Sequence, residues 1–139
     1  MSDPAEMARD LRAHLALSEA LLLIVEREGQ MFRTPGPVSN FEYAQSRKNL
    51  LPQLDQSLAR LKRHRIQWQR LDPETRKQNP EIASLLRLNQ DLAMKIVVLD
   101  RENEQSLLRR GLLPANHLPP ANRQRPHYVA DLYRRNSGQ

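Results

Sequence analysis

The sequence predicts an all-α fold, an antiparallel bundle of three long helices followed by a flexible tail. Only 4 of the 139 residues are glycine and 4% are aromatic, which favours helices over strands, because strands are rich in aromatic and β-branched residues. Apolar residues recur at alternating intervals of three and four over three long segments, the spacing of a buried helix face. Short connectors join these segments, so neighbouring helices are expected to be antiparallel. The predicted bundle covers residues 1–113, and a proline-rich flexible tail covers residues 114–139.

The first helix is predicted from Pro4 to about Phe32. Asp3 is a suitable N-cap residue, and Pro4 fits the first helical position, where a backbone N–H would have no partner. The predicted buried positions are Leu11, Leu15, Ser18, Leu22, Val25, Gly29 and Phe32, with a second stripe at Leu17, Leu21, Ile24 and Met31. Two adjacent stripes form an apolar face wide enough to contact at least two neighbours.

The second helix is predicted to begin near Ser39 or Asn40 and to end before Pro73. Its predicted buried positions are Phe41, Ala44, Lys48, Leu51, Leu54, Leu58, Leu61, Arg65 and Trp68. Pro52 lies inside this pattern, and an internal proline removes a backbone hydrogen bond and clashes with the preceding turn. Because the apolar spacing continues past Pro52, we predict one helix kinked near Pro52 rather than two independent helices.

The third helix is predicted to open at Asn79-Pro80 and to stop at Gly111, which favours the left-handed conformation that ends helices. Its predicted buried positions are Ile82, Leu85, Asn89, Leu92, Ile96, Leu99, Asn103, Ser106 and Arg110. Asn89 and Asn103 stand at equivalent positions among leucines, and a buried amide is costly unless it finds a hydrogen-bond partner. Two interpretations stay open: the asparagines set the register of the helix, or they mark a face that a ligand helix covers.

The residue types give little support to catalysis. The chain has no cysteine, which excludes disulfides, thiol catalysis and cysteine-ligated zinc. The four histidines are scattered, without a second ligand at metal-binding spacing, and His14 and His64 are expected on the surface. There is no glycine-rich loop for phosphate. The sequence therefore predicts a protein that is not an enzyme and that uses no metal or cofactor.

Charge is concentrated in the middle of the chain. The net charge is +6, and residues 47–77 alone carry nine Lys or Arg against three acids, a local excess of +6. A nucleic-acid partner is one interpretation, but Trp68 falls on the buried face, so a solvated helix face is favoured. The longest apolar run, residues 20–25, is far short of the roughly 20 residues that cross a bilayer, and the N-terminus is acidic where a signal peptide is basic. A cytoplasmic protein without membrane insertion is expected.

Two stretches carry a resemblance to a known family. The second helix has a lysine followed by leucines, and the third has an asparagine followed by a leucine pair before the tail; the residues are Lys48, Leu50, Leu51, Leu54, Leu58, Asn103, Leu107 and Leu108. In this order, over about residues 8–113, they resemble the FlgN-type flagellar export chaperones. The resemblance implies a chaperone that binds amphipathic helices of the hook–filament junction proteins and delivers them to the type III export gate.

On this interpretation a groove forms between the third helix and a neighbour. The expected client-binding residues are Leu92, Ile96, Leu99, Asn103 and Leu107, with Leu22 and Val25 as further contributors. The tail tyrosines Tyr128 and Tyr133 match by position the residues that would contact the export gate.

Two other classes of function remain open. A structural coiled-coil adaptor or a homo-oligomer would cover its apolar faces permanently, whereas a chaperone keeps one accessible in the free chain. A nucleic-acid-binding helical protein using residues 47–77 is the third interpretation. The sequence leaves the identity of the client and the oligomeric state open.

Overall fold

The computed structural model describes residues 3–39, residues 41–111 and Tyr133, and over these residues it contains helices and no strand. The predicted all-α fold is therefore confirmed for the described part of the chain. Its four helices are α1 (Pro4–Arg33), α2 (Phe41–Arg70), α3 (Pro73–Lys77) and α4 (Pro80–Arg109). None of these described helices is long and apolar enough to cross a membrane.

Local sequence signals account for the helix ends. The carboxylate of Asp3 accepts a hydrogen bond from the Ala5 N–H at 3.2 Å, and Pro4 is the first residue of α1. The short helix α3 begins in the same way, since Asp72 caps it by accepting from the Thr75 N–H. Gly111 follows α4 with a φ of 71°, the left-handed conformation that the sequence predicted at this stop.

Helix α1 is the central element, because α2 and α4 both pack against it and approach each other at few positions. Helices α1 and α2 are antiparallel. Near the start of α1, Asp10 pairs with His64 at 2.7 Å, while near the end of α1, Glu28 pairs with Arg47 from the opposite end of α2. The wide apolar face of α1 explains this arrangement, since a single helix with two apolar stripes can hold two neighbours.

Helices α1 and α4 run parallel and are joined by two asparagines. Nδ2 of Asn89 donates to the Leu11 carbonyl at 3.1 Å, and Nδ2 of Asn103 donates to the Val25 carbonyl at 2.8 Å. Both the asparagines (89 to 103) and the carbonyls (11 to 25) are 14 positions apart, so the contact repeats after about four turns. Because both bonds to α1 form only in this alignment, the geometry favours the interpretation that the asparagines set the register.

Gly29 leaves the space that Asn103 needs. A Cβ atom at Gly29 would lie 2.6 Å from Oδ1 of Asn103, closer than real Cβ contacts allow. Gly29 and Asn103 are both buried. The absence of a side chain at Gly29 therefore lets the amide of Asn103 reach the backbone of α1.

A buried ion cluster joins all three long helices near the end of α1. The guanidinium of Arg47 on α2 donates to Glu28 on α1 and, at 2.9 Å, to Asp100 on α4. Burial opposes the charge of Arg47, but the charges of Asp100 and Glu28 outweigh it and raise the pKa of Arg47. Burial raises the pKa of Asp100, and the charge of Arg47 offsets part of that effect.

The apolar core is divided into two clusters along α1. The first contains Met7, Ala8, Leu11, Leu61, Trp68, Ile82 and Leu85, and the second contains Leu21, Val25, Leu54 and Ile96. Between them the α1–α2 interface is polar, with Nδ1 of His14 and Oγ of Ser57 2.8 Å apart. Along α1 the two apolar clusters are thus separated by a polar contact at the position of His14.

The predicted buried positions of α1 and α2 are only partly correct. The structure buries five polar residues that were not predicted to be buried: His14 and Glu28 on α1, and Arg47, Ser57 and His64 on α2. Five predicted positions are not fully buried: Leu15, Leu22, Lys48, Leu58 and Arg65. The expectation that His14 and His64 lie on the surface is wrong, because their side chains are 1% and 6% exposed. Each of these side chains has a hydrogen-bond partner on another helix, and a search for apolar residues does not detect such paired burial.

Pro52 lies inside α2, which continues from Phe41 to Arg70 as one helix. As the sequence predicted, the chain does not break into two independent helices at this proline. The side-chain amide of Gln53 donates to the Asn49 carbonyl at 3.2 Å, next to the backbone bond that Pro52 cannot make. The kink near Pro52 stays a prediction.

Most of the predicted flexible tail, residues 114–139, lies outside the described residues. Tyr133 is described, and it packs against the second apolar cluster. Tyr133 therefore contacts the bundle, where its aromatic ring is large enough to fill a surface depression.

Candidate functional site

The bundle has a groove over the first half of α1, between α2 and α4. Helix α1 forms the floor of the groove, and α2 and α4 form its two walls. The cavity has a volume of about 320 Å³. The residues that line it are Leu11 and His14 on α1, Leu58, Leu61, Lys62 and Arg65 on α2, Leu86, Asn89, Gln90, Ala93 and Met94 on α4, and Tyr133. An apolar groove of this shape between helices is suited to an amphipathic segment.

Two buried side-chain atoms of α1 and α4, Oγ of Ser18 and Oδ1 of Asn89, lack a hydrogen-bond partner among the described residues. Nδ2 of Asn89 is satisfied, because it donates to the carbonyls of Leu11 and Leu85. Asn89 lines the groove, so its free acceptor lets the groove take a polar group from a ligand, since an unpaired buried polar atom costs about 1–3 kcal/mol.

Tyr133 lines the groove and is half-buried there. Burial raises the pKa of its phenol, and the neighbouring Ser18 hydroxyl offsets a small part of that effect. The two hydroxyls nevertheless fall short of good hydrogen-bond geometry, and both oxygens remain unpaired. The groove thus receives an aromatic side chain from a distant part of the sequence but pairs its hydroxyl poorly.

His14 makes the stability of the bundle dependent on pH. Burial, followed by the nearby charge of Arg60, lowers the pKa of His14 from 6.5 to about 4. The folded chain then binds fewer protons than the unfolded chain, so stability is lost as the pH falls from about 6.5 toward 4, by roughly 3 kcal/mol in total.

The variant His14→Gln is expected to lack this loss. Its midpoint of urea unfolding should fall less than that of the wild-type chain when both are measured at pH 7, 6, 5 and 4. The raised pKa values of Asp100 and Glu104 act in the opposite direction but equally in both proteins, so they cancel in the difference. Parallel pH profiles for the two proteins would contradict the assignment to His14.

The basic segment 47–77 contributes one wall of the groove and an exposed surface. Lys62 and Arg65 line the groove, while Arg60 and Arg63 are exposed. Trp68 is only 8% exposed and belongs to the first apolar cluster, so its ring is not available for stacking on a base. The basic character of this segment therefore bears mainly on the charge of whatever enters the groove.

The predicted client-binding residues lie on the face of α4 that packs within the bundle. Ile96, Asn103 and Leu107 are buried, whereas Leu92 and Leu99 are half-buried against the second apolar cluster. Leu22 is half-buried and Val25 is buried. In this conformation the accessible groove is instead lined on α4 by Leu86, Asn89, Gln90, Ala93 and Met94.

Of the two tyrosines expected to contact an export gate, Tyr128 lies outside the described residues. Tyr133 is held in the groove. The structure therefore places Tyr133 together with the groove residues of α1, α2 and α4 and not at a separate surface.

The sequence interpretation missed Arg47, Glu28, Asp100, His14 and Ser57. A signal existed, because Met7, Leu11, His14, Ser18, Leu21, Val25, Glu28 and Phe32 follow an unbroken alternation of four and three. The sequence interpretation did not use this signal, because leucines directly follow two of these positions, at Leu15 and Leu22. No group of three or more potential metal-binding side chains occurs within the described ranges.

The fold and the groove define a class of small helical protein, in which a central helix carries two neighbours and a binding groove opens between them. Comparisons of the chain with protein-family models, with curated proteins and with solved structures find no match.

Proposed function

We propose that the chain is a cytoplasmic type III secretion chaperone whose three long helices form an antiparallel bundle and hold an amphipathic helix of a client protein. The observation that carries the proposal is the groove over α1, which already accommodates a bulky aromatic side chain from elsewhere in the chain. Isolated amphipathic helices are marginal in water, so covering the apolar face of one helix protects it from self-association. The resemblance to FlgN-type chaperones makes the hook–filament junction proteins the proposed clients and the flagellar export gate the destination.

The accessible face of α4 provides the test. Met94 lines the groove and is 63% exposed, so Met94→Glu adds a charge there without disturbing the core. A peptide of the C-terminal amphipathic helix of a hook–filament junction protein from the same organism should bind the wild-type chain. Met94→Glu is expected to weaken that binding at least tenfold, about 1.4 kcal/mol, in a fluorescence anisotropy titration.

Leu88→Glu is the matched control. Leu88 is also on α4 and 51% exposed but does not line the groove, so this variant should bind the peptide as the wild-type chain does. Equal weakening by both substitutions, or no binding by the wild-type chain, would count against the chaperone function. A stable homo-oligomer in sedimentation that buries Met94 would favour the structural alternative instead.

A further inference from the structure

Tyr133 of the same chain lies in the groove, where it would compete with a ligand. We propose that Tyr133 is an internal ligand of the groove, which an incoming helix must displace. The identity of the incoming helix rests on the proposed function. The binding of Tyr133 in the groove does not depend on that function.

The length of the connection allows Tyr133 to bind the groove of its own chain. Tyr133 follows Gly111 by 22 positions, and that much chain can extend to at most about 70 Å. Ala93, which lines the groove, precedes Gly111 by 18 positions, about 27 Å along a helix. Occupation by the same molecule therefore requires no second copy of the chain.

The contacts of Tyr133 suit an occupant that can be displaced. Its ring packs against the second apolar cluster, which favours occupancy. Its hydroxyl and that of Ser18 are both buried without a well-formed bond, and Oδ1 of Asn89 is also unpaired, which weakens the fit. An incoming helix that satisfies these groups would have the advantage over Tyr133.

Charge also favours an incoming helix over Tyr133 as the occupant of the groove. Lys62 and Arg65 line the groove on α2. Because opposite charges attract across an interface, an acidic incoming helix would be favoured at this wall. Release of Tyr133 would then couple client binding to exposure of the C-terminal segment.

A peptide of residues 121–139 tests the internal ligand directly. The peptide, labelled with a fluorophore, should bind the full-length Tyr133→Ala chain, whose groove is vacated. The wild-type chain should bind it about tenfold more weakly, because its own segment competes at a high effective concentration. The same peptide carrying Tyr133→Ala should bind neither protein.

Equal affinity of the peptide for both chains, or binding to neither, would overturn the proposal. A wild-type dimer that dissociates on Tyr133→Ala substitution in sedimentation would also overturn it, because the segment would then occupy the groove of a second copy.

A methyl signal reports on the occupancy independently. Met94 lines the groove beside Tyr133, so its methyl resonance should move in Tyr133→Ala and remain near its wild-type position in Tyr133→Phe, which keeps the ring. The methyl group of Met31, near the end of α1, is the internal control. An unmoved Met94 signal in Tyr133→Ala would mean that the ring is not in the groove.

The two proposals fail separately. Peptide 121–139 binding to Tyr133→Ala while no junction-protein helix binds either chain would remove the chaperone function and keep the internal ligand. A junction-protein helix that binds wild-type and Tyr133→Ala chains with the same affinity would remove the internal ligand and keep the chaperone function.

Discussion

Replacing Arg47 by methionine is expected to lower the free energy of unfolding by about 3–5 kcal/mol, the usual cost of removing one partner from a buried ion pair. The substitution keeps most of the side-chain volume but leaves the carboxylates of Glu28 and Asp100 buried without the cation that joins them. Chemical denaturation followed by circular dichroism measures the loss. Arg63→Met is the matched control, because Arg63 is an exposed arginine of the same helix, and it should change stability by less than about 0.5 kcal/mol.

The same variant has a characteristic pH dependence. Burial raises the pKa of Asp100 and only the charge and hydrogen bond of Arg47 oppose that effect. Without Arg47 the folded chain takes up a proton on Asp100 more readily than the unfolded chain, so the deficit of the variant should shrink as the pH falls. Adding Glu28→Gln and Asp100→Asn should restore much of the lost stability at pH 7. A deficit that is constant with pH and not relieved by the neutral amides would show that Arg47 contributes by packing alone.

Replacing Gly29 by valine is expected to cost roughly 4 kcal/mol. The new side chain would occupy the position of Oδ1 of Asn103, since even a Cβ atom would lie only 2.6 Å from it. Overpacking costs about 1–3 kcal/mol, and the loss of the bond from Asn103 to the Val25 carbonyl leaves a buried amide unsatisfied at a similar cost. Thermal and urea unfolding both measure the change.

A double-mutant cycle separates this contact from the general effect of valine on a helix. Ala16→Val, at an exposed position of α1, should cost only a few tenths of a kcal/mol. In an Asn103→Ala background, Gly29→Val should cost at least about 1 kcal/mol less than in the wild-type chain. Additive costs would mean that Gly29 and Asn103 do not depend on each other.

The consequences for function follow from the same contacts. Arg47 and the asparagines hold α2 and α4 on α1, and the groove exists because α2 and α4 meet little elsewhere. Substitutions in this framework should impair binding through loss of folding, whereas Met94→Glu should impair binding in a folded chain. The expected client residues Ile96, Asn103 and Leu107 belong to the first group in this conformation, because they are buried within the bundle.

The sequence by itself determined the all-α class, the ends of α1 and α4 and most of the buried positions of α4. Asp3, Pro4 and Gly111 act on neighbouring backbone groups, and local effects of this kind can be predicted from neighbouring residues. Ile82, Leu85 and Ile96 are apolar and recur at helical spacing, and this pattern also identified the polar buried positions Asn89, Asn103 and Ser106 on the same face.

Only the tertiary structure decided which charged residues and histidines are buried and what lies in the groove. Burial of Glu28, His14 or Asp100 is tolerable only because Arg47 or Ser57 on another helix is within hydrogen-bond distance. Such a partner lies far away in the sequence, and the periodicity of one helix carries no information about it. Tyr133 illustrates the same limit, since its place in the groove depends on the shape left between α2 and α4 and not on any pattern around the tyrosine itself.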